Sequence, residues 1–170
     1  MHHHYLHLES VIGSTSDWSE RTPDTVRIPI ASDRDISTAR EKGRAMAAQM
    51  GFSATESAFV ASAISELGRN IVSYAHQGTV TLKAVHRLGR SQLGILILAK
   101  DQGPGILNTA LASRGGFSTS GGMGLGLAGV RRLMDEFEIV SQLGKGTTVI
   151  AKKWLHKATR LRRGHNAQSI

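Results

Sequence analysis

Glu66 and Asn70 stand four residues apart in a segment whose apolar residues recur at helical spacing. One carboxylate and one amide therefore leave the same strip of a helix, about one turn apart. A carboxylate held near a hydroxyl or a water can take its proton. A hard cation that bridges phosphates keeps its waters and takes only one or two protein oxygens, which an amide carbonyl can supply. Asn is a poor interior helix former, so Asn70 stands out in such a segment. Farther along, Asp101-Gln102-Gly103-Pro104-Gly105 puts an acid at the end of an apolar run, just before a stiffened turn. An ionised carboxylate there can accept a hydrogen bond from an exocyclic amine, and the glycines let a flat ring lie against backbone. The chain then runs through Gly121-Gly122-Met123-Gly124-Leu125-Gly126-Leu127 into a helical pattern. Glycines let backbone close on an anion, and the following helix start presents unpaired amides to it.

Each part alone also suits a plain structural role: a surface Glu with a mildly unfavourable Asn, a turn acid satisfied by its own loop, a glycine linker before a helix. Their joint occurrence, in this order, points to a nucleotide bound with a hard metal ion. Two better-known phosphate fingerprints do not apply. Gly124-Leu125-Gly126-Leu127-Ala128-Gly129 matches G-x-G-x-x-G, but Phe117-Ser118-Thr119-Ser120 before it is no buried strand, and the stretch near Gly146-Thr147 has no acid. G-x-x-x-x-G-K-[ST] does not occur.

The elements that must position these groups follow from periodicity and punctuation. Thr25–Ile30 alternates polar and apolar and predicts a strand, placed at an edge or end by Pro29. Ser32 or Asp33 caps a helix from about Asp35 to Met50, which Gly51 stops. Ser53-Ala54-Thr55-Glu56 is a capping box, and Phe59, Val60, Ala63, Ile64, Leu67, Ile71 and Tyr74 mark the buried face of the helix it opens. Thr79–Val85 and Leu93–Ala99 predict strands, the second buried on both faces, with a turn near residues 88–91 between them. Residues 106–111 suit a short helix and 112–122 a loop. Leu125–Phe137 predicts a helix, and Glu138–Gln142 and Thr147–Leu155 predict strands joined by a turn at Leu143-Gly144-Lys145-Gly146. Hairpins with few βαβ units imply an α+β, two-layer sandwich: a mixed, mostly antiparallel sheet with helices on one face.

The chain has 170 residues, enough for one core, and 40% of them are hydrophobic. No cysteine is present, which excludes disulfides, thiolate metal sites and a cysteine nucleophile. No apolar run approaches the length of a membrane span, and the start is no export signal, so a cytoplasmic protein is expected. The three adjacent histidines after Met1 suit either an affinity tag or native sequence. The net charge of +8 is concentrated: from Ile139 onward there are seven Lys or Arg and no acid, leaving 14 basic against 13 acidic residues before that point. Lys152, Lys153, Lys157, Arg160, Arg162 and Arg163 are taken as a solvated basic tail with one aromatic, Trp154, which argues against a nucleic-acid surface. The expected organisation is a flexible leader over 1–24, a nucleotide-binding domain over 25–155, and a basic tail over 156–170.

The boxes Glu66-Leu67-Gly68-Arg69-Asn70, Asp101-Gln102-Gly103-Pro104-Gly105, Gly122-Met123-Gly124-Leu125-Gly126-Leu127 and Gly146-Thr147-Thr148, in that order, resemble the GHKL (Bergerat-fold) ATPases and kinases over about residues 25 to 155. The texture of Ile64–Ile71, Gly116–Gly122 and Gly129–Phe137 is most similar to the RsbT-type anti-sigma regulatory serine/threonine-protein kinases. The resemblance implies ATP and Mg²⁺ as cofactors. Glu66 would be the general base and Asn70 a Mg²⁺ ligand. Asp101 would bind the adenine amine, with Gly103, Gly105 and Thr147 lining or supporting the ring. Gly122, Met123, Gly124, Leu125 and Gly126 would hold the phosphates, and residues of about 107–123 would form a lid. It also implies a STAS-domain antagonist protein as substrate, a PP2C-type phosphatase or a sigma factor as further partner, and a monomer or homodimer. Two alternatives stay open: an RsbW-like protein that binds a sigma factor, and an ATP-binding switch without catalysis.

Overall fold

The computed structural model describes residues 25–87, 92–110 and 126–156. The expected leader, the turn at 88–91, Gly122 to Leu125 and nearly all of the tail lie outside the described residues. The described elements, in chain order, are β1 (Thr25–Ile30), α1 (Asp33–Gln49), α2 (Ala54–Asn70), a π-helical turn (Ile71–Ala75), β2 (Gly78–His86), β3 (Leu93–Asp101), α3 (Gly126–Leu133), β4 (Glu136–Gln142) and β5 (Gly146–Trp154). The strands form one sheet in the order β1-β2-β3-β5-β4, and every pairing is antiparallel. The parallel component allowed for in the sequence reading is not found in this sheet. Pro29 sits on an edge strand as expected, and β3 is central.

Both long helices start where their side chains can satisfy the first amides. At α1 the Ser32 hydroxyl accepts from the Asp35 amide at 3.3 Å, while Asp35 Oδ2 accepts from the Ala31 amide and the Ser32 hydroxyl. At α2 the expected capping box is complete: the Glu56 amide donates to Ser53 Oγ at 3.2 Å, and Glu56 Oε2 accepts from the Ser53 amide at 2.9 Å. The Ser53 hydroxyl, then its amide, hold the Glu56 carboxyl below its ordinary value of 4.5. The two helices pack closely because Gly43 lacks a side chain: a Cβ there would run into Ile64 Cδ1. A mid-helix Gly costs roughly 0.5–1 kcal/mol relative to Ala, which this approach offsets.

The inner face of the sheet carries Val80, Leu82, Ile95, Ile97 and Ala151, sealed by Val60, Ile64, Leu67 and Ile71 of α2 and Val130 of α3. A smaller cluster of Val85, Leu96, Ile150 and Trp154 occupies the opposite face, with the Arg87 guanidinium 5.4 Å from the Trp154 ring centroid. Three details depart from the sequence reading. The helix after the glycine segment ends at Leu133 rather than Phe137, since Asp135 is drawn into β5: its carboxylate accepts from the Trp154 amide at 2.7 Å and from Lys153 at 2.8 Å. Tyr74 is 48% exposed, because the π turn rotates it off the stripe that α2 buries. Lys152 and Lys153 belong to β5 and pair with Glu136 and Asp135 at 3.1 and 2.8 Å, so they are sheet residues and no part of a tail. No helix among the described residues is long and apolar enough to cross a membrane.

Candidate functional site

The site forms where α2 runs out beneath the start of α3 and beside the end of β3. Glu66 is on the last full turn of α2, with its side chain 14% exposed. Its carboxylate is shared: Oε2 accepts from the Gly126 amide, at the tip of α3, at 3.2 Å, and Oε1 accepts from Arg69 at 3.0 Å. The Gly126 contact joins two of the expected boxes across sixty residues of sequence. Asn70 follows one turn later, half-buried at the last position of α2. Its side-chain amide has no hydrogen bond among the described residues. The chain then widens into the π turn, a local form often found at functional positions, and leaves it through His76 at φ 64°.

That turn brings the second half of the site close. The methyl Cγ2 of Ile71 and the Cβ of Asp101 lie 2.8 and 3.3 Å from the point where a Cβ on Gly78 would sit. Asp101 is the last residue of β3, and its Oδ1 accepts from the Gly103 amide at 2.9 Å and the Thr147 amide at 3.2 Å. The expectation of a turn acid satisfied by its own loop holds for that oxygen. Oδ2 has no hydrogen bond among the described residues, so the carboxylate is oriented by backbone and retains an acceptor face.

The turn after Asp101 is fixed to the β4–β5 hairpin. The Gly144 amide donates to the Pro104 carbonyl at 2.9 Å, and the Ile106 amide donates to Ser141 Oγ at 2.8 Å. Ser141 Oγ donates to the Gly146 carbonyl at 3.0 Å and meets Thr147 Oγ1 at 2.9 Å. Gly105 (φ +78°) and Gly146 (φ +98°) have backbone that side chains resist, and a Cβ on either would strike backbone: Gln142 O at Gly105, Asp101 O at Gly146. These glycines let the hairpin lie against the Asp101 turn. Ser141 was not singled out in the sequence; its one signal is its position directly opposite Thr147 in the β4–β5 register. The Arg69–Glu66 pair was also missed, although its three-residue spacing on a helix is the signal for such a contact.

The described residues thus join Glu66 to Gly126, and Asp101 to Gly103 and Thr147, with the π turn that follows Asn70 packed against Gly103 through Ala75. Gly122, Met123, Gly124 and Leu125 fall outside the described residues. No group of three or more His, Asp or Glu that could hold a metal forms among the described residues. The donor that suits a hard cation is the Asn70 amide oxygen, which could hold one jointly with phosphate and water.

The family model for the histidine kinase-like ATPase domain matches residues 30–153. The chain is 46% identical over 128 residues to the serine/threonine-protein kinase RsbT of Bacillus subtilis (strain 168), spanning 75% of this chain and 95% of that protein. Among solved structures, that of the RsbU and RsbW domains of a Mycobacterium tuberculosis protein superposes with a TM-score of 0.52 at 22% identity. That match covers 78% of this chain and 32% of the other, so the chain spans about a third of that protein's length.

Proposed function

The chain belongs to the histidine kinase-like ATPase domain family, and on that premise we propose that it is an ATP- and Mg²⁺-dependent protein serine/threonine kinase. Its substrate is a STAS-domain antagonist protein in a partner-switching pathway, with a PP2C-type phosphatase or a sigma factor as a further partner, and it works in the cytoplasm. The observation that carries this reading is the Glu66 carboxylate hydrogen-bonded at the tip of α3, one turn before the Asn70 amide, which has no hydrogen bond among the described residues. A base, a cation ligand and a phosphate-facing helix start are what transfer from ATP to a hydroxyl requires.

Asp101 takes the adenine amine through its uncommitted oxygen, held in place by the Gly103 and Thr147 amides. Gly103 and Gly105 line the ring, and Thr147 is braced by Ser141. Asn70 would hold Mg²⁺ through its side-chain oxygen, and the cation would supply charge neutralisation at the transferring group. Gly122, Met123, Gly124, Leu125 and Gly126 hold the phosphates. Glu66 accepts the proton of the acceptor Ser or Thr as its oxygen bonds to the γ-phosphorus and the bond to the departing ADP breaks. The reading is tested by incubating the protein with labelled ATP, Mg²⁺ and a STAS-domain protein encoded beside it. Transfer of label to Ser or Thr is expected, and its absence with several such partners overturns the reading. ATP binding without transfer would leave a nucleotide-dependent switch.

A further inference from the structure

A second feature also includes Glu66. Between α1 and α2 lies a groove of about 520 Å³, lined by Arg40, Glu41 and Arg44 of α1 and by Ser62, Glu66 and Arg69 of α2, among others. Its carboxylates are already engaged: Glu41 pairs with Arg40 at 3.0 Å and Glu66 with Arg69 at 3.0 Å. Arg44 makes no ion pair among the described residues. The groove therefore has three arginines against two carboxylates, and its lining includes the carboxylate assigned as the base.

We propose that Arg69 couples docking of the protein substrate to the freeing of Glu66. In the unliganded protein its guanidinium occupies Glu66 Oε1. When an acidic side chain beside the acceptor hydroxyl enters the groove, Arg69 turns to that acid, and Oε1 becomes available to the hydroxyl delivered next to it. Arg69 can make the exchange from the solvent side, because its side chain is 57% exposed. Its long side chain already spans from the helix surface to Glu66, so a rotation about its own torsions carries the fork from one carboxylate to the other. Arg40 and Arg44, farther along the groove, make the same approach favourable for an acid and unfavourable for a basic segment. Arg69 is on this account a positioning and specificity-determining residue that acts through Glu66.

This inference rests on the kinase reading, and the experiment separates the two. The probe is the STAS-domain protein encoded beside this chain. Its affinity is measured by calorimetry without nucleotide, and its kcat and KM by label transfer, for the wild-type chain, Arg69→Gln and Arg69→Lys. Expected are a rise of about tenfold or more in Kd and KM for the STAS protein with Arg69→Gln, one lost charge pair at a desolvating contact, and an unchanged KM for ATP. Arg69→Lys recovers part of the loss, since it keeps the charge without the two-pronged geometry. Neutralising the acids that flank the partner's acceptor residue should give the same loss, and combining that change with Arg69→Gln should add little. Unchanged Kd and KM in Arg69→Gln, or fully additive losses, overturn the proposal while leaving the kinase reading intact. If the wild-type chain binds the partner and transfers nothing, the kinase reading falls, and with it the freeing of a base; the Kd ratio then still decides whether Arg69 reads an acid. If the partner does not bind, both fall.

Discussion

At the residue scale the candidate site depends on how two carboxylates are held. Asp101 presents one oxygen to the Gly103 and Thr147 amides, and its other oxygen has no hydrogen bond among the described residues. In Asp101→Asn those amides select the carbonyl end of the new side chain, which turns its NH₂ toward the adenine amine. Two donors then face each other, so ATP affinity should fall by about 1–3 kcal/mol, roughly 5- to 150-fold, with circular dichroism unchanged. Isothermal titration measures it, and unaltered affinity would remove Asp101 from the adenine site. Glu66 differs in kind. Its carboxylate faces the tip of α3, so Glu66→Gln keeps the size of the group and loses the proton acceptor. Transfer to the protein substrate should drop by about 10²–10⁴-fold while ATP still binds. A variant that transfers at the wild-type rate would show that the proton leaves by another route.

At the scale of elements, the helix starts and strand spacings were readable because each is set locally. The Ser53–Glu56 box is a four-residue pattern, and the alternation in Thr79–Val85 and the apolar run of Leu93–Ala99 fix their own secondary structure. What escaped is set by contacts between distant segments. The π turn after Asn70 has ordinary helix-compatible residues, and only its packing beside Gly78 and Asp101 distinguishes it. The early end of α3 is imposed by β5 through Asp135. Ser141 matters because of which strand lies opposite. The boxes of the site could be recognised because glycine and acid spacing is a local record, whereas the bracing of Thr147 is tertiary; the Arg69–Glu66 pairing is local and its three-residue spacing was legible on the helix. Two predictions belong here. Gly146→Ala forces a side chain into positive-φ backbone and against the Asp101 carbonyl. It should cost about 1–3 kcal/mol in urea unfolding and weaken ATP binding as well, since the Asp101 turn must shift. Ser53→Ala should cost about 1 kcal/mol at neutral pH, and the cost should depend on pH. The Glu56 carboxyl is depressed from its ordinary value of 4.5 chiefly by the Ser53 hydroxyl. Its contribution is therefore fully present above that ordinary value and is lost as pH falls through the lowered folded value. The gap between the urea midpoints of wild type and Ser53→Ala should accordingly narrow as pH falls below the ordinary value of 4.5 and through the lowered folded value; a gap that stays constant into acid would show that the carboxylate does not carry the effect.

At the scale of the whole molecule, the candidate site draws on several elements of the fold. Glu66 reaches the tip of α3, the π turn touches the end of β3, and the Asp101 turn is bonded to the β4–β5 hairpin. A nucleotide held by the proposed residues would contact these elements at once, and unfolding would release it. Such a ligand stabilises the folded state by RT ln(1 + [L]/Kd), about 2.7 kcal/mol at a hundredfold excess over Kd. For a domain of this size that amounts to a rise of roughly 5–11 °C in Tm. ATP with Mg²⁺ should produce this shift in the wild-type protein. Asn70→Ala should lose the part that depends on Mg²⁺ while keeping the wild-type Tm without ligand, because the Asn70 side chain makes no hydrogen bond among the described residues that folding would miss. Differential scanning calorimetry across the four combinations of protein and ligand separates the two effects. A lower Tm for the unliganded variant would make Asn70 a structural residue. An equal shift in both proteins would place the cation on some other oxygen, and a base at Glu66 would then need a different partner to hold the phosphates in line.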